Sequence, residues 1–125
     1  MTGAGLRVLV VEDDPRIASM VAKGLLARGH GTEIVSTGSA ALERLAAGST
    51  DVMLLDLGLP DIDGLDVLRR LVSDGSSIPV IVITARSDPS DRDAALELGV
   101  TAYLTKPFAW SDVWKAIDAC AALRG

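Results

Sequence analysis

The chain has 125 residues, 49% of them apolar and 23% charged, with 12 Lys and Arg against 17 Asp and Glu for a net charge of −5. That length supplies one hydrophobic core, so a single domain over residues 1–125 is expected, and charges interrupt every apolar run well short of the ~18 residues that a membrane-spanning helix needs. The acidic balance lacks the electrostatic footprint of a domain that grips a phosphate backbone, so no direct nucleic-acid binding by this domain is expected.

The first apolar run, Leu6–Val11, reads as a β-strand, because LRVLVV is nearly continuous in the manner of a strand covered on both faces. It is too short for a secretory signal and ends on acids, which makes the cytoplasm the expected location. Asp14-Pro15 then supplies an N-cap and a first helical proline. Ile17, Met20, Val21 and Leu25 provide a buried stripe, and Gly29 a left-handed stop. His30, the only histidine, reads as a plain loop residue on the rim away from the strand ends. Thr32–Ser36 is a more polar second strand suited to a sheet edge, and Ala40–Leu45 fits the second helix. Asp51–Leu55 forms the third strand, and Leu65, Leu68, Leu71 and Val72 give the third helix its apolar face. Pro79–Ile83 is the fourth strand, after which Asp88-Pro89 and Gly99 repeat the start and stop signals for a fourth helix. Ala102–Thr105 closes the set of strands, and Val113–Leu123 marks the fifth helix. The lone Cys120 in that helix reads as a small buried hydrophobe.

Strands alternating with helices imply parallel pairing and right-handed crossovers, hence a doubly wound α/β sheet. Such sheets bind ligands beyond the carboxyl ends of their strands. Those ends carry Glu12-Asp13-Asp14, Asp56, Thr84 and Lys106-Pro107. Each has an ordinary reading alone, as helix start, turn residue, cap or loop corner. Together they converge on one rim. Carboxylates ~4 Å apart repel by about 4 kcal/mol at an effective dielectric near 20, so this cluster calls for a cation. Oxygen ligands with room for water favour Mg²⁺, and no Cys/His set offers a zinc site. An Asp carboxylate can take up a phosphoryl group when the spreading charge is neutralised, and the Lys106 ammonium and Thr84 hydroxyl suit the remaining oxygens. The chain has no GxxxxGK[ST] loop, no GxGxxG after the first strand, no GxSxG elbow and no separate general base. Such a site holds a phosphate rather than turning it over.

VLVVEDD, LLDLGLPDIDG, VIVITAR and YLTKPF, in this order, resemble the acidic, phosphoacceptor, switch-threonine and lysine motifs of the receiver domains of two-component response regulators. The resemblance covers essentially the whole chain and implies a flavodoxin-like (βα)5 sheet of strand order 2-1-3-4-5, as in chemotaxis regulators. It makes Asp56 both phosphoacceptor and metal ligand, with Glu12, Asp13 and the backbone carbonyl of Gly58 completing a Mg²⁺ site. Thr84 becomes the hydroxyl that moves toward the phosphoryl group, Tyr103 the aromatic that swings with it, and Lys106 the phosphoryl-contacting cation beside a cis Lys106-Pro107 peptide. The implied donor is a phosphohistidine on a sensor histidine kinase or phosphotransfer protein. The implied output is a changed surface on the fourth helix, fifth strand and fifth helix, through which a homodimer can also form. Such a domain is no enzyme toward other substrates and catalyses only its own phosphorylation and slow dephosphorylation.

Two alternatives stay open on sequence: a Mg²⁺-dependent aspartyl-nucleophile phosphatase, and a degenerate receiver used only for protein binding. The first wants a second Asp close after Asp56, where the chain has Leu57-Gly58, and the second is expected to have lost Asp56 or Lys106. Thr101-Ala102 stands where the subfamily fused to winged-helix domains has an acidic pair, which weighs against the salt-bridged dimer of that subfamily. Trp110 and Trp114, four apart, either anchor the output surface or fill the core beside it. Gly58 leaves the phosphoryl group open to water, with Arg86 beside Thr84 as partial cover.

Overall fold

The computed structural model describes residues 5–124, so the ends of the expected 1–125 domain lie outside the described residues. The elements run β1 (Arg7–Val11), α1 (Pro15–Ala27), β2 (Gly31–Val35), α2 (Gly38–Ala46), β3 (Val52–Leu55), α3 (Gly64–Ser73), β4 (Val80–Thr84), α4 (Pro89–Glu97), β5 (Ala102–Thr105) and α5 (Trp110–Arg124). The strands pair in parallel in the order β2-β1-β3-β4-β5, the doubly wound, flavodoxin-like arrangement expected from sequence. No helix among the described residues is long and apolar enough to cross a membrane.

Because side chains alternate across a strand, each central strand feeds two apolar layers. Leu9, Val11, Met53, Leu55 and Val82 pack with the buried faces of α2, α3 and α4. Val8, Val10, Leu54, Ile81 and Ile83 pack with α1 and α5. Tyr103 joins the first layer and Leu104 the second, as their odd and even positions require. β2 lies at the edge and is largely exposed, which is why its sequence is mixed. α1 and α4 start at the expected Asp14-Pro15 and Asp88-Pro89 signals, whereas α2 and α5 begin at Gly38 and Trp110, two and three residues ahead of the expected Ala40 and Val113. Asp14, Asp63 and Asp88 each accept from the backbone N–H two residues on, and Thr37 from that of Ala40, which satisfies otherwise unpaired helix-start donors. Gly29 and Gly99 end α1 and α4 with φ of 87° and 90°, a conformation costly for residues with a side chain.

Several local expectations need correction. Each strand but β5 differs from its predicted bounds by about a residue, and Thr84 belongs to β4 rather than following it. Met20 is 54% and Val72 53% exposed. The stripe of α1 is instead Ala18, Val21, Ala22 and Leu25, spaced i, i+3, i+4 and i+7, and Met20 falls two positions off it on the far side of the helix. On α3, Leu71 takes the buried position and turns Val72 outward. His30 is no plain loop residue: it is buried, and its Nδ1 accepts the Leu6 N–H at 3.0 Å, fixing the entry to β1.

Trp110 and Trp114 belong to the layer between α5 and α1, not to a face shared by α4, β5 and α5. A Cβ on Gly24 would stand 2.4 Å from the Trp114 ring, so α1 admits that ring only because residue 24 has no side chain. Arg28 covers Trp114 at 4.1 Å, Trp114 stacks on Trp110 at 5.7 Å, and Phe108 meets Trp110 edge-on at 5.0 Å. Cys120 is buried in the same layer, where desolvation pushes its thiol up, as expected of a packing residue.

Candidate acidic phosphoacceptor site

Parallel strands place all their carboxyl ends on one rim, and the expected residues meet there. Glu12 and Asp13 follow β1, Asp56 follows β3, Thr84 ends β4, and Lys106 follows β5. Glu12, Asp56 and Thr84 are buried, whereas Asp13 is exposed. The Lys106 Nζ donates to Glu12 Oε1 at 2.8 Å and to Asp56 Oδ2 at 3.0 Å, one cation between two buried acids. Their other oxygens are held by the main chain. Glu12 Oε2 accepts the Asp14 N–H at 3.1 Å, and Asp56 Oδ1 accepts the Gly58 N–H at 3.0 Å. A carboxylate oxygen from each of Glu12, Asp13 and Asp56 lies within 4.8 Å of the others, a spacing that suits one metal ion.

The electrostatics separate the two buried acids. Burial is the largest influence on Asp56 and favours its neutral form, but the Gly58 N–H and the Lys106 ammonium outweigh it and hold the carboxyl below its usual range. Burial also dominates at Glu12, and there the Lys106 and Asp14 bonds do not overcome it, so that carboxyl sits above its usual range. Desolvation pulls Lys106 down, yet bonds to both acids leave it raised overall. Asp56 is thus the better anion and Lys106 stays charged.

A second network lies behind the first. Thr84 Oγ1 accepts the Arg86 N–H at 3.3 Å, and the Tyr103 hydroxyl donates to the Arg86 carbonyl at 2.8 Å. Arg86, expected as partial cover for a phosphoryl group, has its side chain engaged elsewhere. Its guanidinium donates to Asp63 through Nη1 at 3.1 Å and Nη2 at 2.8 Å, because Asp63 offers a fork-shaped partner at the start of α3. Asp61, which the sequence did not single out, accepts the N–H groups of Gly38 and Ser39 at 2.8 and 3.0 Å, tying the loop after Asp56 to the start of α2. The nearest sequence signal was the Asp61-Ile62-Asp63 alternation, which cannot reveal partners 22 or more residues away. Lys106-Pro107 is cis, as the resemblance implied. An apolar hollow of about 420 Å³ opens beside Lys106, lined by Ile17, Pro107, Phe108 and Trp110.

The family model of the response regulator receiver domain matches residues 8–118. The chain belongs to this family. The receiver is 44% identical over 108 residues to the transcriptional regulatory protein CutR of Streptomyces coelicolor, an alignment covering 86% of this chain and 50% of that protein. It is 38% identical over 114 residues to the response regulator MprA of Mycobacterium leprae, covering 91% of this chain and 50% of the relative. This receiver therefore spans about half the length of the relatives it matches. Among solved structures it resembles the Francisella response regulator 1452 receiver domain, with a TM-score of 0.91, 26% identity and coverage of 97% and 100% of the two chains. The non-phosphorylated HemR receiver domain of Leptospira biflexa superposes with a TM-score of 0.86 at 27% identity, covering 93% of this chain and 94% of that one. The chain is accordingly a response-regulator receiver of two-component signalling, and its acidic cluster is of a kind that can bind a metal ion.

Proposed function

We propose that this receiver accepts a phosphoryl group on Asp56 and changes its surface as a result. The observation that carries the reading is the single Lys106 ammonium held between Glu12 and an Asp56 carboxyl kept below its usual range, in a buried cluster with one exposed acid at its mouth. Glu12, Asp13, Asp56 and the Gly58 carbonyl would hold Mg²⁺, which, when bound, supplies positive charge against the crowded carboxylates and phosphoryl oxygens. An Asp56 oxygen attacks phosphorus, and the bond from phosphorus to the donor imidazole nitrogen breaks, its electron pair leaving with the imidazole. Lys106 stays charged and meets one phosphoryl oxygen, and the Thr84 hydroxyl donates to another. Tyr103, linked to Thr84 through Arg86, carries the change toward α4, β5 and α5.

The donor class is a phosphohistidine on a sensor histidine kinase or phosphotransfer protein, met in the cytoplasm. The α4, β5 and α5 face is the proposed output and homodimer surface, and residues 1–125 act as one receiver. The relatives named as transcriptional regulators support a reading in which DNA contact belongs to the half of such proteins that this chain does not span. The domain catalyses its own phosphorylation and slow dephosphorylation only. Leu57-Gly58 provides no second acid for a phosphatase, and neither Asp56 nor Lys106 is lost, as a degenerate binding module would require.

Incubation with acetyl phosphate and Mg²⁺ followed by intact-mass measurement tests this. One phosphoryl group should appear on the wild type and none on Asp56→Asn. Equal incorporation by the variant, or incorporation with the metal chelated, overturns the assignment.

A further inference from the structure

Arg86 touches three separate parts of the molecule. Its N–H donates to Thr84 Oγ1, its carbonyl accepts from Tyr103, and its guanidinium grips Asp63 with two hydrogen bonds. Capping does not require that grip, because Asp63 already accepts the Leu65 N–H at 2.9 Å to start α3. We propose that the Asp63–Arg86 ion pair is a clamp between the loops that follow β3 and β4, and that it restrains Thr84 and Tyr103 against the phosphorylated arrangement. The inference rests on the phosphoacceptor reading of Asp56.

The reasoning is mechanical. When Thr84 moves toward an oxygen carried by Asp56, it draws away from the Arg86 N–H, a bond already long at 3.3 Å. Either that bond is lost, or the Arg86 main chain follows and strains the guanidinium against Asp63. The carbonyl that holds Tyr103 belongs to the same residue, so both switch residues feel the restraint. Arg86 is thus a positioning residue, acting through its main chain on Thr84 and Tyr103. Arg69 lies near Asp63, and Asp91 near Arg86, as a charge background that the test leaves unchanged.

A clamp that favours the resting arrangement weakens every ligand that selects the other one. The test is titration of the 125-residue chain with beryllofluoride, a phosphoryl mimic, at fixed Mg²⁺, followed through the backbone amide NMR signals of Thr84 and of residue 86. Asp63→Asn keeps a capping oxygen and Arg86→Gln keeps the main-chain bonds, so both should fold. Each should lower the half-saturating beryllofluoride concentration about two- to fivefold, the range that a partly exposed ion pair can supply. The double variant should gain nothing further, and Arg86→Lys should fall between wild type and Arg86→Gln, since lysine cannot make the forked contact. Unchanged or weaker binding by the single variants overturns the clamp, as does full additivity in the double variant. A folded wild type that shows no response to beryllofluoride at that Mg²⁺ concentration fails at the earlier step: it overturns the phosphoacceptor reading, and the clamp with it.

Discussion

Lys106 satisfies two carboxylates that have little other recourse, and removing it is the severest single change at the site. The Glu12, Asp56 and Lys106 side chains are 1%, 9% and 19% exposed, so Lys106→Met leaves two buried charges uncompensated and should cost about 3–5 kcal/mol near neutral pH in urea unfolding. Asp56, held low, adds stability above the ordinary carboxylate range that is lost as pH falls through its depressed folded value. Lys106, held high, adds stability below its ordinary value that is lost as pH rises through its raised folded value. Glu12, raised by burial, opposes them in the neutral range. The gap between wild type and Lys106→Met should therefore narrow toward both acid and alkaline pH. A gap independent of pH contradicts this account. Gly64 makes a different demand, since a Cβ there would stand 2.5 Å from the Leu57 Cα, a backbone atom next to Asp56. Gly64→Ala should cost about 1–3 kcal/mol by overpacking in the same assay. Asp56, Thr84 and Lys106 were legible because each terminates or follows a recognisable strand. The roles of Arg86 and His30 were not, because each depends on a group distant in the chain, 24 residues away for His30.

At the scale of elements, α1 and α5 meet through a glycine and a ring. Alanine for glycine in a helix interior ordinarily adds about 1 kcal/mol of stability. At Gly24 the added methyl collides with Trp114, which Arg28 and Trp110 hold in place. Gly24→Ala should be neutral or destabilising in the wild type and stabilising in a Trp114→Ala background, a reversal that denaturant midpoints can detect. The start of α2 poses a pH question. Asp61 is held far below the carboxylate range, first by the Ser39 and then by the Gly38 backbone N–H. Its ionised form adds stability above the ordinary carboxylate pKa, and that contribution fades as pH falls toward the depressed folded value. The melting temperature difference between wild type and Asp61→Ala should accordingly be largest at neutral pH and shrink in acid. The Asp14-Pro15 and Asp88-Pro89 starts and the Gly29 and Gly99 stops were readable from local chemistry, while α2 and α5, without a proline at the start, begin two and three residues ahead of their expected bounds. Met20 and Val72 misled because periodicity fixes the width of an apolar face but not which edge of it meets the sheet.

Across the whole molecule, five parallel strand ends collect the charge of three acids on one rim of a chain already at −5. Millimolar Mg²⁺ should raise the melting temperature, since a ligand at ~100 times its Kd adds about 2.7 kcal/mol to the folded state. Asp13→Asn should abolish most of that rise while costing little stability by itself, because Asp13 is exposed. An undiminished rise in Asp13→Asn would place the ion elsewhere. The architecture was legible in the alternation of buried runs and capped helices, as was the rim that carries the candidate site. The side of α5 taken by the tryptophans was not, because a helix period cannot tell one neighbouring layer from the other. That placement has a practical consequence. The chain has only two tryptophans, stacked on each other, and one of them lines the hollow beside Lys106. The native protein thus carries its own optical reporter, whose intrinsic emission can follow events at the lysine loop without any attached dye.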